Sequence, residues 1–78
     1  MPKHTFSKDL FWGMVNDSDV FKLQETLAAL KFFDFSPTGN FYGITLKAVK
    51  EFQKANNISP VSGYVGPLTR DALNKLNK

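Results

Sequence analysis

Cysteine is absent from this sequence of 78 residues, and histidine occurs once, at His4. The lack of cysteine excludes disulfide bridges, iron–sulfur clusters and thiol nucleophiles. A structural zinc site needs about four side-chain ligands, and the sequence offers no cluster of them. We therefore expect neither a metal nor a cofactor.

Long apolar runs are missing as well. No segment approaches the roughly 18 consecutive apolar residues of a membrane-spanning helix, so we expect no membrane span. The first residues lack the basic and then apolar pattern of a secretory signal peptide, and we expect no such leader within this chain.

Catalytic groups are scarce too. The seven acidic residues are spread along the chain and form no obvious pair, whereas a glycosidase needs two carboxyl groups across a cleft. His4 has no Ser-His-Asp arrangement around it, and so short a chain has little room for a deep pocket. We therefore predict a protein without enzyme activity.

The residues that are present fit one small folded domain. Hydrophobic residues make up 42% of the chain and eight residues are phenylalanine, which is too apolar for a disordered tail. Ten basic residues against seven acidic ones give a formal net charge of +3. The lysines are dispersed and form no basic run, which favours a solvated surface and disfavours nucleic-acid binding.

The spacing of apolar residues predicts three helices. Residues 17–19, Asp-Ser-Asp, suit the start of the first helix, because the oxygen atoms of these short side chains can accept hydrogen bonds from its free N–H groups. The second helix is predicted from near Gly43, and Gly66-Pro67 is typical of the start of a third. The fold class is therefore an all-α three-helix bundle. The predicted apolar faces are Val20, Leu23, Leu27 and Leu30, then Ile44, Ala48, Val49, Phe52 and Ala55, and finally Leu68, Ala72, Leu73 and Leu76.

An irregular arm is predicted over residues 1–16, ahead of a three-helix domain over residues 17–78. The arm carries Phe6, Leu10, Phe11 and Trp12 without helical spacing. In water these side chains would form an exposed apolar patch, so we expect the arm to lie across the core of the domain. The alternative is that it lies across a ligand. Trp12 is expected to pack on the first helix.

The chain contains an internal repeat. Residues 39–49 align with residues 63–73 after a shift of 24 positions, which pairs Gly39 with Gly63 and Thr45 with Thr69. Each copy has a loop glycine, an apolar residue, a helix start, a threonine in the first turn and then an alanine. Two such units predict a pseudo-symmetric fold with two similar loops at one end, where a shared groove is a further hypothesis.

Motifs in the first helix and in both copies follow one another in a fixed order. They are Asp19-Val20 with Leu23-Gln24 and Leu27, Gly39-x-Phe41, Thr45-x-x-Ala48-Val49-x-x-Phe52-Gln53, and Gly63-x-Val65-Gly66-Pro67-x-Thr69-x-x-Ala72-Leu73. From about Leu10 to Leu76 the chain thus resembles the bacterial peptidoglycan-binding domain, a three-helix module commonly attached to cell-wall hydrolases. The resemblance implies a bundle without catalytic residues that holds its host protein on the cell wall, outside the cell or in the periplasm.

One departure from the family pattern is informative. The family usually has Gly-Pro after the apolar residue of each copy, and the second copy keeps it as Gly66-Pro67, but the first has Tyr42-Gly43. The partner that the resemblance implies is the glycan strand or the stem peptide of peptidoglycan. We expect the chain to be monomeric, as a module of a larger protein.

Phe41, Tyr42, Tyr64 and Arg70 are the predicted ligand-binding residues. Sugar rings and stem peptides present apolar faces bordered by hydroxyl and amide groups, and a phenol suits both. The guanidinium of Arg70 suits a carboxylate of muramic acid or of the stem peptide, and the alternatives are an ion pair with Asp71 or a solvated surface role. The alternative for Phe41 is a place in the core.

Two glutamines and two threonines are predicted to be structural. The amides of Gln24 and Gln53 are expected to satisfy loop backbone groups in preference to contacting a ligand. The hydroxyls of Thr45 and Thr69 are expected to brace the first turns of their helices.

Two functions follow from these patterns. The first is a non-catalytic module that binds peptidoglycan weakly through a shallow groove formed by the two repeat units. The second is a protein–protein or prodomain-like module that keeps the fold without wall binding, and Tyr42 in place of glycine favours it. The fold also resembles prodomains of extracellular metalloproteinases, which inhibit through a cysteine that this chain lacks.

Overall fold

The computed structural model describes residues 4–76, so residues 1–3 of the predicted arm and 77–78 of the predicted domain lie outside it. Three helices follow one another: α1 (Ser18–Ala29), α2 (Gly43–Ala55) and α3 (Pro67–Leu76). Within the described residues there is no strand, and extended chain pairs only at an isolated antiparallel bridge between Leu10 and Val65. The predicted all-α fold is confirmed. No helix in this range is both long enough and apolar enough to cross a membrane.

The start of α1 is fixed by the carboxylate of Asp17. One of its oxygens accepts the N–H groups of Asp19 at 2.8 Å and Val20 at 3.1 Å, as an N-cap does. The other oxygen accepts a hydrogen bond from the ammonium of Lys8 at 2.8 Å, which lowers the pKa of Asp17 and raises that of Lys8. The side chain of Asp17 thus caps the N-terminus of α1 and links it to Lys8 of the arm.

The apolar faces of the helices meet in one core. It is built from three side chains of α1, three of α2 and one of α3, joined by residues of the arm and the loops. The core residues are Phe6, Leu10, Val20, Leu23, Leu27, Phe33, Phe41, Ala48, Val49, Phe52, Val65 and Leu73.

The predicted buried faces of α2 and α3 are wrong at their ends. Ile44 is 53% exposed and Leu68 is 65% exposed, and the last apolar residues, Ala55 and Leu76, are also exposed. The buried position in each first turn is taken by the next residue, a threonine. These helices begin beside open loops, so their first apolar residue has no neighbouring element to cover it.

The arm runs along the helices and is held by polar contacts. The amide of Asn74 on α3 pairs with the backbone of Phe6, accepting its N–H at 2.7 Å and donating to its C=O at 3.0 Å. The side chains of Phe6 and Leu10 lie in the core. Trp12 was expected to pack on α1, and this is wrong, because its side chain is 58% exposed and meets the ring of Tyr42.

Candidate functional site

Gln24, on α1, holds the loop that leads into α2. Its side-chain carbonyl accepts the N–H groups of Thr38 at 2.8 Å and Gly39 at 2.9 Å. Its amide nitrogen donates to the C=O of Asn40 at 3.0 Å and to the hydroxyl of Thr45 at 2.9 Å. The glutamine is buried, so these bonds replace the water that would otherwise satisfy the loop.

Gln53, on α2, does the same for the loop that leads into α3. It accepts the N–H of Gly63 at 2.8 Å and donates to the C=O of Tyr64 at 2.9 Å and to the hydroxyl of Thr69 at 3.1 Å. The structural role predicted for both glutamines is confirmed. Each threonine hydroxyl accepts a hydrogen bond from the glutamine that precedes it in the chain, which fixes the first turn of one helix against another helix.

Each glutamine lies beneath an open groove. Groove 1 has a volume of about 600 Å³, and groove 2 has a volume of about 330 Å³. Both lie beside the first turn of a helix and have mostly apolar walls, so the sequence repeat produces two related grooves. Groove 1 is defined by Phe33, Phe35, Thr38, Tyr42, Ile44 and Thr45, and groove 2 by Ile58, Pro60, Ser62, Tyr64, Leu68 and Thr69.

Ile44 and Leu68 occupy equivalent places in the walls of the two grooves. Neither is predicted from the sequence as a ligand-binding residue, because helical spacing alone assigns both to the core. The repeat carried a signal that could have identified them. Each immediately precedes the threonine of its copy, and two neighbouring positions of a helix cannot both face the same glutamine.

An exposed aromatic ridge connects the two units, and it is made of Tyr42, Trp12, Phe11 and Tyr64. The ring of Trp12 meets Tyr42 edge to face, with centroids 5.7 Å apart. The ring of Phe11 lies parallel to Tyr64, with centroids 5.6 Å apart. Phe11, Trp12 and Tyr64 also line a shallow depression of about 240 Å³ between the units. The two tyrosines are predicted from the sequence as ligand-binding residues, and the two arm residues are not.

Asp9 organises the polar end of the ridge. One carboxylate oxygen accepts a hydrogen bond from the phenol of Tyr64 at 2.8 Å, and the other lies 3.2 Å from Nε of Arg70. The hydrogen bond to Asp9 raises the pKa of the Tyr64 phenol. The alternative of an Arg70–Asp71 pair is wrong, since Asp71 pairs with Lys75 at 3.2 Å. Asp9 itself was not predicted.

The four predicted ligand-binding residues do not all lie at the surface. Phe41 is fully buried in the core, which is the alternative that the sequence left open for it. Tyr42 lies in the wall of groove 1 and Tyr64 in the wall of groove 2, and each is about half exposed. Arg70 and the hydroxyl of Tyr64 both contact Asp9. The ridge is what brings the two tyrosines into one surface.

The two grooves differ because the copies place their tyrosines differently. In the first copy Tyr42 takes the position that Gly66 has in the second. In the second copy Tyr64 lies over Gly66, where an added Cβ atom would be 3.5 Å from the ring. Each groove therefore has one tyrosine in its wall. Among residues 4–76 no group of three or more His, Cys, Asp or Glu side chains is placed to hold a metal ion.

Comparison with known proteins gives two matches. The family described as "Putative peptidoglycan binding domain" matches residues 16–73. The crystal structure of the SleB N-terminal domain is similar with a TM-score of 0.85 and 28% sequence identity, over 96% of this chain and 100% of that one. A search of curated proteins finds no match.

Proposed function

This chain belongs to the peptidoglycan-binding domain family, and from that premise we propose that it is a non-catalytic module that anchors a protein to bacterial peptidoglycan. The observation that carries the proposal is the pair of related grooves, one in each repeat unit, connected by exposed aromatic rings. A polymer of repeating units presents similar groups at intervals, so two related sites suit it better than they suit a single small molecule.

The residues proposed to contact the polymer are Tyr42, Tyr64 and Arg70, together with the groove walls Ile44 and Leu68. The phenol rings offer apolar faces to C–H groups of the ligand and a hydroxyl to its polar edge. The guanidinium of Arg70 donates hydrogen bonds to a carboxylate of the wall, and part of its ion pair with Asp9 is given up when it does so. Phe41 supports this surface from within the core.

Binding at one site is expected to be weak. The grooves are shallow, so little area is buried and the entropy cost of association is poorly offset, which suggests a dissociation constant of about 10⁻³–10⁻⁵ M. Many binding sites along the wall raise the effective affinity of the host protein. The cell wall, outside the cell or in the periplasm, is the compartment in which this function operates.

The test is co-sedimentation of the purified chain with insoluble sacculi at low and at moderate salt. We expect the protein in the pellet at both, because apolar contacts carry the binding. Leu68→Ser, in the wall of groove 2, should weaken binding, and Leu76→Ser is the matched control, since it changes an exposed leucine of the same helix outside the grooves. Wild-type protein that stays in the supernatant at both salt concentrations would contradict wall binding.

A second candidate is a protein–protein module, which Tyr42 in place of glycine favours. Chemical-shift mapping with soluble muropeptides separates the two functions. A wall ligand should shift the resonances of Tyr42, Tyr64 and Arg70 together, whereas a module that has lost this ligand should show no shifts there.

A further inference from the structure

The aromatic ridge consists of four large side chains that are exposed side by side. Phe11 is 43% exposed, Trp12 58%, Tyr42 50% and Tyr64 45%. The rings come from three separate segments of the chain but contact one another in pairs. Contiguous exposed apolar surface of this kind marks a place where another molecule binds.

The backbone that carries Phe11 and Trp12 is held by hydrogen bonds on both sides. Next to Phe11, the backbone of Leu10 exchanges two hydrogen bonds with Val65, at 3.1 and 2.8 Å. Next to Trp12, the N–H of Gly13 donates to the C=O of Phe41 at 2.7 Å. The backbone of the two arm residues is thus held between the second repeat unit and the first, so little backbone entropy would be lost on binding.

The polar groups of the ridge identify the chemistry of its ligand. Flat apolar rings occupy the length of the ridge, while the hydroxyl of Tyr64, the carboxylate of Asp9 and the hydroxyl-bearing Ser62 lie along it. A saccharide matches this arrangement, because its rings have C–H faces bordered by hydroxyl and amide groups. A saccharide needs no cation, whereas a nucleic acid would need cations for its phosphates, and Arg70 at the polar end of the ridge is already paired with Asp9.

We propose that the aromatic ridge is the platform for the glycan strand, with sugar rings stacked on Phe11 and Trp12. This rests on the proposed function and assigns its sugar-binding surface to the arm as well as to the repeat. The strand would pass from Tyr42 to Tyr64, between the two grooves. Residues outside the repeat would then complete a site that the repeat alone leaves divided.

Trp12 is the only tryptophan in the chain, so its fluorescence reports on the ridge directly. The wild-type chain is titrated with peptide-free glycan strands, made by amidase digestion of sacculi, and separately with the stem peptides released. We expect a saturable change of Trp12 emission with the glycan strands and none with the peptides. A response to the peptides alone, or a stronger response to single-stranded DNA, overturns the proposal.

Variants then connect the ridge to wall binding. Trp12→Ala and Phe11→Ala should each weaken co-sedimentation with sacculi by about three- to tenfold, since each removes one stacked ring. Trp12→Phe keeps a ring and should retain most binding. Phe21→Ala is the matched control, because it removes an exposed ring of α1 that belongs to neither the ridge nor the grooves. Circular dichroism establishes that each variant is folded.

The outcomes separate this inference from the proposed function. Wild-type protein that pellets with sacculi, together with folded Trp12→Ala and Phe11→Ala variants that pellet equally well, leaves wall binding intact and overturns the ridge. Wild-type protein that does not pellet overturns both. A change of Trp12 emission that depends on protein concentration without any glycan would identify a second copy of the chain as the occupant and also overturn the proposal.

Discussion

Gln24 and Gln53 hold two different loops by the same pattern of hydrogen bonds. In each, the side-chain carbonyl accepts the N–H of a loop glycine, Gly39 at 2.9 Å and Gly63 at 2.8 Å. In each, the amide nitrogen donates to the threonine hydroxyl in the first turn of the next helix. Both glutamines are 1% exposed, so they link a helix, a loop and the next helix inside the protein.

Replacing Gln24 by leucine should destabilise the fold strongly. Leucine has a similar size but leaves the loop N–H groups and the C=O of Asn40 without partners, and each buried unpaired group costs about 1–3 kcal/mol. We expect the free energy of unfolding to fall by about 3 kcal/mol, a large part of what so small a domain has. Urea unfolding followed by circular dichroism measures it. Glu25→Leu, at an exposed neighbouring position, should change stability by less than about 0.5 kcal/mol.

Replacing Gln24 by glutamate should make stability depend on pH. A carboxylate still accepts the N–H of Gly39, but it faces the C=O of Asn40 without a proton to donate. Burial and this carbonyl raise the pKa of the introduced carboxyl in the folded state above its ordinary value of about 4.3. The folded state then binds the proton more tightly than the unfolded state, so the variant should gain stability relative to wild type as pH falls from neutral. A constant difference between the two proteins over that range would contradict the hydrogen-bond assignment.

The helix starts could be predicted because they depend on local chemistry. Asp17 caps α1 with its own side chain, and Pro67 has the backbone angle of a first helical residue. The exposure of Ile44 and Leu68 could not be predicted from spacing, since the same periodicity describes a residue under a neighbouring helix and one beside an open loop. What decides between them is the tertiary contact between a glutamine and the next residue of the helix.

Gly63→Ala should destabilise the fold, whereas Gly43→Ala should stabilise it. Gly63 has a φ of +81°, and an added Cβ atom would overlap Leu46 Cδ1. The expected loss is about 1–2 kcal/mol from the backbone angle alone. Gly43 begins α2 and has open space at its Cβ position, so alanine should add about 0.4–1 kcal/mol by restricting the unfolded chain. Thermal unfolding of the two variants measures both, and shifts of the same sign would contradict this description of the second loop.

Asp17→Ala should destabilise α1 more than Asp17→Asn does. Alanine removes the N-cap, at about 1 kcal/mol, whereas asparagine still accepts the helix N–H groups. The hydrogen bond from Lys8 lowers the pKa of Asp17 below its ordinary 3.8, so the folded state binds the proton less tightly than the unfolded state. Its contribution is therefore complete above pH 3.8 and is lost as pH falls below it. Urea unfolding at neutral pH and at about pH 3 should show a smaller acid loss for Asp17→Asn than for wild type.

The candidate surface could be predicted from the sequence only in the part that the repeat encodes. Tyr42 and Tyr64 stand out as phenols beside loop glycines, and both are exposed. Phe11, Trp12 and Asp9 join them through contacts between the arm and distant loops. No short-range pattern specifies such contacts, and the preference of large apolar side chains for burial predicted the wrong environment for Trp12.

Asp9→Asn should lower the pKa of the Tyr64 phenol. The carboxylate of Asp9 accepts a hydrogen bond from the phenol and raises its pKa above the ordinary 10.0, while the charge of Arg70 acts in the opposite direction. A neutral amide carries no charge and is a weaker acceptor, so it reduces the first effect and leaves the second. In a Tyr42→Phe background Tyr64 is the only tyrosine, so tyrosinate absorbance follows it alone. Because the folded wild type holds this proton more tightly than the unfolded chain, it should lose stability as pH rises above 10.0, and Asp9→Asn should lose less.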